Sequence, residues 1–304
     1  MAKVEEEEAV LSPLISERSK ASPIWLRLSP KAKTGLILCL LGVIYYPTFI
    51  WMWQRWFAAD SYYAHGPLII VVSGVLIWRK RQEIARTTVS SSKLGLVLLL
   101  SGLVLHIVSA STRVYFSSGY SFFIVLLGLI LYFYGREVAR VIIFPVCFLL
   151  FMIPAPIALV AATTLKMKLF AAHISVLVIQ LFGISAVREG SVVYMPNTEI
   201  VIGDPCSGLR SLISLAALGL LYTYIVKASY LRKASLFLIS IPIAIIANII
   251  RTIATLLIAN SYGNRIVTDG FLHKGFGLMV FIIAFAGLFL VGRLLGCRIP
   301  QRDI

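Results

Sequence analysis

Three side chains of this sequence have the chemical character of a nucleophilic site, although they lie far apart along the chain. Cys206 opens an apolar segment after a polar stretch, Arg251 lies within a later apolar segment, and His273 opens the last one. A thiol at a helix N-terminus, near a cation or an imidazole, is held as the nucleophilic thiolate. The three residues can act together only if these segments end at one face of a membrane.

Four further residues are candidates to support such a site. Arg210 lies four residues after Cys206 on the same face of the expected helix, where a guanidinium would lower the thiol pKa or bind a carboxylate. Asn248 lies three residues before the arginine of the later segment and shares its side of the helix. His65 and Arg188 are expected on the same side of the membrane, and each is equally compatible with a site and with an ordinary surface position.

Each member of the constellation also has a structural alternative. A free cysteine such as Cys206 is commonly a small apolar filler, and Arg251 could extend to the membrane interface as an anchor. A charge at that depth is costly and usually faces the interior of a helix bundle, which favours a functional Arg251. His273 is equally compatible with a catalytic residue and with an anchor at the membrane interface. His106 and His173 have no accompanying chemical groups and are interpreted as structural or interfacial.

The composition places the chain in a lipid bilayer. Hydrophobic residues make up 59% of the 304 positions, charged residues 13%, and the mean hydropathy is +0.92, whereas a soluble domain carries about 25% charged residues. The net charge of +15 comes mostly from Lys and Arg in short loops between apolar segments, which is typical of membrane topology and not of a nucleic-acid partner. Carboxylates are few outside the tail that contains residues 5–8, so an enzyme that uses a pair of catalytic carboxylates is disfavoured. We expect no metal and no cofactor.

The apolar segments predict an all-α polytopic membrane protein of about eight transmembrane helices. The basic loops place the N-terminus in the cytoplasm, with cytoplasmic tails at 1–33 and 298–304 around a transmembrane domain at 34–297. No cleavable signal peptide is expected. The predicted spans lie near 36–53, 67–78, 94–111, 120–134, 141–153, 209–226, 235–259 and 272–295.

The segment 160–182 creates a parity problem, because the basic loops before and after it both belong in the cytoplasm. It carries Lys166, His173 and Gln180 at intervals of seven residues, which puts them on one helical face. We therefore predict an amphipathic helix that lies in the outer interface and does not cross. The free thiols at Cys39 and Cys297 then fall near the cytoplasm, so a disulfide is not expected.

Residues 184–205 are predicted to form a small extracytoplasmic β-hairpin. The stretch 187–195 has a strand-like composition, 196–198 is a turn signal, and 200–202 would be the return strand. This hairpin would deliver Cys206 to the outer end of its helix. With the same topology Arg251 lies about 12 Å below the outer end of the next helix, and His273 opens the last helix at the outer face.

An ordered set of short motifs identifies a family. They are 63–67 (YAHGP), 77–81 (IWRKR), 153–156 (IPAP), 183–184 (GI), 188–190 (REG), 205–211 (PCSGLRS), 241–244 (IPIA), 248–251 (NIIR), and His273 with Gly275 and Gly277. In this set the chain resembles the exosortase/archaeosortase family of integral membrane transpeptidases. The resemblance covers most of the chain, from about residue 63 to 277, and its densest part surrounds Cys206.

The resemblance implies an enzyme in the plasma (inner) membrane with its active site on the extracytoplasmic face. Cys206 would be the nucleophile that forms a thioester, with Arg251 and His273 as the other two site residues. The implied partners are exported proteins with a C-terminal sorting signal, which is a short motif (often Pro-Glu-Pro), a transmembrane helix and a basic tail. The acceptor, an amine or a lipid, is not named by the sequence. The alternative is a non-catalytic membrane carrier or scaffold for exported polymers, with Arg251 and His273 along its path.

Overall fold

The structure is a computed structural model that describes residues 29–59, 61–203, 208–263 and 271–297. Residues through Ile50 form one unit, and residues from Trp51 onward form another. The first unit contains helix α1 (Pro30–Ile44), which begins where the Ser29 hydroxyl accepts a hydrogen bond from the Ala32 amide at 3.2 Å. Helix α2 (Tyr46–Trp56) starts in this unit and ends in the second.

Helices dominate the second unit. They are α3 (Gly66–Arg79), α4 (Arg81–Arg86), α5 (Lys93–Ser111), α6 (Tyr115–Phe133), α7 (Gly135–Phe148) with a 3₁₀ turn at Leu149–Met152, α8 (Ile157–Leu181), α9 (Leu209–Ile225), α10 (Tyr230–Tyr262) and α11 (Phe271–Leu294). Among the described residues, five helices are long and apolar enough to cross a membrane, or six if α1 and α2 form one broken span. They are α5, α6, α8, α10 and the 277–294 part of α11.

The predicted class of helical membrane protein is confirmed in this coarser form, but the count of eight spans is not. Three predicted spans correspond to short helices: α3 and α7 have 14 residues and α9 has 17. At 1.5 Å per residue these helices are about 21–26 Å long, less than the roughly 30 Å of a hydrocarbon core.

Helix α8 corresponds to the segment that was predicted to lie in the outer interface. Its 25 residues form one continuous helix, and its length and composition would allow it to cross. Lys166, His173 and Gln180 are all exposed, so the polar face that the spacing predicted is present. Whether this helix crosses the membrane stays a prediction.

The extracytoplasmic hairpin of the prediction is in fact a three-stranded antiparallel sheet. It consists of β1 (Val187–Glu189), β2 (Val192–Met195) and β3 (Thr198–Val201), in the order β1-β2-β3. Arg188 pairs with Val193, and Val193 pairs with Ile200. The predicted strand at 187–195 is divided because Gly190 turns the chain with φ +60°, a conformation that glycine adopts without strain.

The sheet joins the C-terminal ends of α8 and α10. Val193, Ile200 and Ile202 are buried against these helices in a core cluster whose helical members include Ala172, Val176 and Ile179 of α8 and Leu256 and Ala259 of α10. The side-chain amide of Asn197 also donates a hydrogen bond to the backbone carbonyl of Asn260 at 3.2 Å. The last two turns of α10 therefore pack against the sheet.

Helices α5 and α6 form a closely packed antiparallel hairpin. A Cβ added at Gly128 would lie 2.5 Å from the Leu99 amide nitrogen, so the two backbones can approach this closely only through glycine. His106 Nδ1 lies 2.9 Å from the Ser118 hydroxyl in the buried interface. This contact agrees with the interpretation of His106 as a structural residue.

Candidate active site at the start of helix α9

The first turn of α9 is pressed against α10. Gly208 has φ +78° and is buried, and a Cβ at this position would lie 2.5 Å from Asn248 Cγ. Its carbonyl accepts the Leu212 amide and the Ser211 hydroxyl at 2.8 Å each, which starts the helix. Glycine is therefore required both for the backbone conformation and for the close approach. Cys206 lies outside the described residues, two positions before Gly208 in the sequence.

Arg251 is buried one turn further along α10. Its exposure is 7% and that of Asn248 is 2%, so both side chains face the bundle as predicted, and both have interaction partners there. Arg251 was predicted about eight residues from the outer end of its helix. The helix continues to Tyr262, eleven residues beyond Arg251, because its last turns pack on the sheet.

Helix α11 places position 273 nearer than Arg251 to the C-terminal end of α10. Gly287 packs against Ile243, with an added Cβ at 3.2 Å from Ile243 Cγ2, and this contact gives the register of the α10–α11 pair. The two helices are antiparallel, so residues fourteen positions before Gly287 and fourteen positions after Ile243 lie at the same level. Position 273 of α11 is therefore level with residue 257 of α10. It therefore lies about 9 Å beyond Arg251 along the helix axis, toward the C-terminal end of α10. The His273 side chain is outside the described residues.

His65 is brought to the same region by a hydrogen bond across 149 positions of sequence. Its Nδ1 lies 3.1 Å from the hydroxyl of Ser214, which follows Arg210 by one turn of α9. Burial lowers the pKa of His65 below its ordinary value of 6.5, and the Phe151 carbonyl opposes this in part. His65 thus approaches α9 as a neutral imidazole at neutral pH.

Ser214 was not predicted as a site residue. Its position four residues after Arg210 could have suggested it, because residues at this spacing share a helical face. Arg210 itself is partly buried and has interaction partners. Arg188 lies on β1 and donates to the Gly190 carbonyl at 2.8 Å. The contacts described for Arg188 belong to its own turn and do not link it to Asn248.

The comparison with known families decides which kind of protein this is. A family model for transmembrane exosortases matches residues 53–290. The chain belongs to the transmembrane exosortase family. The matched range includes Cys206, Arg251 and His273, and it confirms the family resemblance that the short motifs indicated. No curated protein and no solved structure matches the chain. Within the described residues of this exosortase-family chain, no group of three His, Cys, Asp or Glu side chains could hold a metal ion.

Proposed function

We propose that this protein is a membrane cysteine peptidase or transpeptidase that cleaves C-terminal sorting signals of exported proteins. The observation that carries the proposal is the contact of Gly208 with Asn248. Cys206 precedes Gly208 by two positions, and two residues extend the chain by at most about 7 Å, which supports a nucleophile that acts at this end of α9. Membership in the exosortase family supports the same reaction class.

In the first half of the proposed reaction, the Cys206 thiolate attacks the carbonyl carbon of the scissile peptide bond. The tetrahedral oxyanion is stabilised by the buried guanidinium of Arg251, which does not have to be withdrawn from bulk water during the step. The C–N bond then breaks. His273 donates a proton to the leaving amine, and the upstream part of the substrate is left as a thioester on Cys206.

In the second half, an incoming nucleophile attacks the thioester carbonyl. The now neutral His273 accepts the proton of this nucleophile, the C–S bond breaks, and the thiolate of Cys206 is restored. An amine or a hydroxyl of a lipid would give transpeptidation or transesterification, and water would give hydrolysis. The outward position of residue 273 suits a group that meets both the leaving amine and the incoming nucleophile.

The two ends of α8 are connected to different parts of the bundle. Before α8, the Ala155 amide donates to the Tyr63 hydroxyl at 3.1 Å, and Tyr63 is two residues from His65, which bonds to α9. After α8, the sheet leads through Ile202 to the start of α9. The beginning of α8 is therefore linked to the first half of α9, and its end is linked to the C-terminal end of α10. The extracytoplasmic position of the site is proposed from the basic loops, which put the start of α9 outside.

The decisive experiment follows a reporter protein whose C-terminus carries a Pro-Glu-Pro motif, a transmembrane helix and a basic tail. We expect Cys206→Ala and Cys206→Ser to leave the reporter uncut, because a serine hydroxyl titrates far above a thiol and the site stabilises a thiolate. Cys39→Ala is the matched control, since this exposed cysteine lies in α1, and should cleave normally.

His273→Ala should accumulate an enzyme–substrate adduct if acceptor activation is its larger contribution. Hydroxylamine should release that adduct, because it cleaves thioesters, and an immunoblot of both partners reads the size shift. Wild-type cleavage by Cys206→Ala would exclude covalent cysteine catalysis. The carrier or scaffold interpretation would then account better for the buried Arg251.

A further inference from the structure

A cavity outside the Cys206 region lies between the end of α2 and the first half of α8. Its volume is about 360 Å³, and it opens to the protein surface. Trp51 and Arg55 form one wall, the loop around Tyr62 forms the second, and α8 from Ile157 to Lys168 forms the third. All of these residues belong to the second structural unit.

The loop that forms the cavity is held by specific hydrogen bonds. The Ser61 hydroxyl donates to the Arg55 carbonyl at 2.6 Å and accepts the Tyr63 amide at 3.0 Å. The Tyr63 hydroxyl accepts the amide of Ala155, which also lines the cavity. Both the loop and the turn before α8 are therefore held to Tyr63, which fixes two of the walls of the cavity relative to each other.

The side chains that line the cavity suit an amphiphilic ligand with an anionic group. Trp51 and Tyr62 are interfacial aromatic residues, and Arg55 and Lys168 supply two cations. Lys168 has an interaction partner, and because its ammonium group carries three donors it can bind an anion as well. The described lining contains no carboxylate, and Asp60, next to Ser61 in the sequence, lies outside the described residues.

The Thr164 side chain adds an independent indication of a polar ligand. Its exposure is 4%, and its hydroxyl has no hydrogen-bond partner among the described residues. Thr164 lines the cavity. A buried hydroxyl without a partner costs free energy, and a bound oxygen atom would supply one.

The rim of the cavity indicates where the ligand comes from. Ile157 and Leu165 line the cavity and are nevertheless 63% and 54% exposed. In a membrane protein such exposed apolar side chains face lipid, so the entrance is suited to acyl chains more than to a soluble anion.

We propose that this cavity binds the headgroup of an anionic phospholipid of the surrounding leaflet. The phosphate lies between Arg55 and Lys168, its glycerol region contacts Thr164 and the aromatic residues, and its acyl chains leave past Ile157. The ring centroids of Tyr63 and His65 are 6.0 Å apart, so the bound lipid lies one side chain away from the Ser214 contact. The proposal does not require the peptidase reaction.

The test is native mass spectrometry of the purified full chain, titrated with dioleoyl phosphatidylglycerol or dioleoyl phosphatidylcholine in detergent. We expect the anionic lipid to bind more tightly than the zwitterionic one. Arg55→Gln and Lys168→Gln should each weaken that binding about fivefold, the effect of one interfacial cation. Thr164→Val should weaken it about threefold. Lys166→Gln is the matched control, because this exposed lysine lies on the same helix outside the cavity.

Two further variants separate the possible outcomes. Cys206→Ala should bind lipid as the wild type does even if it cleaves nothing, and His273→Ala should do the same, so that failure of the lipid site and failure of the peptidase reaction are distinguished. Circular dichroism and elution volume confirm that each variant is folded.

The proposal is overturned if Lys166→Gln weakens binding as much as Lys168→Gln. It is overturned as well if the two lipids bind equally, or if glycerol phosphate or a glutamate-containing peptide binds the cavity more tightly than phosphatidylglycerol does.

Discussion

Replacing Gly208 by alanine tests the contact on which the candidate site depends. Gly208 and Gly183 have nearly the same positive φ, +78° and +80°. A Cβ at Gly183 meets nothing within 4 Å, whereas one at Gly208 would lie 2.5 Å from Asn248 Cγ. Gly183→Ala is therefore a matched control that carries the backbone cost without the collision.

The expected magnitudes follow from these two terms. A left-handed conformation costs an alanine about 1–2 kcal/mol, which both variants share. Overpacking adds about 1–3 kcal/mol at Gly208 alone. At about 2 °C per kcal/mol for a chain of this size, Gly208→Ala should unfold about 2–6 °C below Gly183→Ala in detergent. Because an error of about 1 Å in position can cost ~100-fold in rate, reporter cleavage should fall at least tenfold in Gly208→Ala only.

A double-mutant cycle identifies the colliding partner. Asn248→Ala removes the amide group that the new Cβ would meet, so the double variant should be more stable than the sum of the single effects by about 1 kcal/mol. Equal unfolding temperatures for Gly208→Ala and Gly183→Ala would refute the close approach of α9 to α10. Strict additivity in the cycle would show that Asn248 is not the residue in contact.

Three further predictions concern other parts of the structure. Since burial lowers the pKa of His65, the unfolded chain takes up a proton below about pH 6.5 that the folded chain does not. The unfolding temperature should therefore fall as the pH drops below 6.5, and it should fall less in His65→Gln. Ser214→Ala, which removes the hydrogen bond to His65, should lower the free energy of unfolding by about 1 kcal/mol. A cysteine introduced at Asn197 should react with a membrane-impermeant maleimide from outside the cell, and labelling only from the cytoplasmic side would reverse the proposed orientation. Gly128→Ala should lower the unfolding temperature by several degrees, because its Cβ would collide with the backbone of α5, whereas Gly74→Ala, with nothing within 4 Å, should not.

The sequence alone was sufficient for the class of protein and for the family. Long apolar segments and basic loops are local properties of the chain, and they predict a helical membrane protein without any knowledge of packing. The ordered motifs around Cys206 predicted the family, and the match over residues 53–290 confirms it. The spacing of Asn248 and Arg251 predicted that both face the bundle, because helical periodicity is also local.

Only the tertiary structure decided which residues meet. The hydrogen bond of His65 to Ser214 and the contact of Gly208 with Asn248 join distant segments, and no local pattern specifies such pairs. The strand predicted at 187–195 is divided at Gly190 because the sheet must fold back on itself to cover the ends of α8 and α10. Helix α10 has 33 residues, more than a membrane requires, because its last turns pack against the sheet. Apolar residues that pack against protein and those that face lipid have the same hydropathy, so the sequence cannot distinguish them before the elements are assembled.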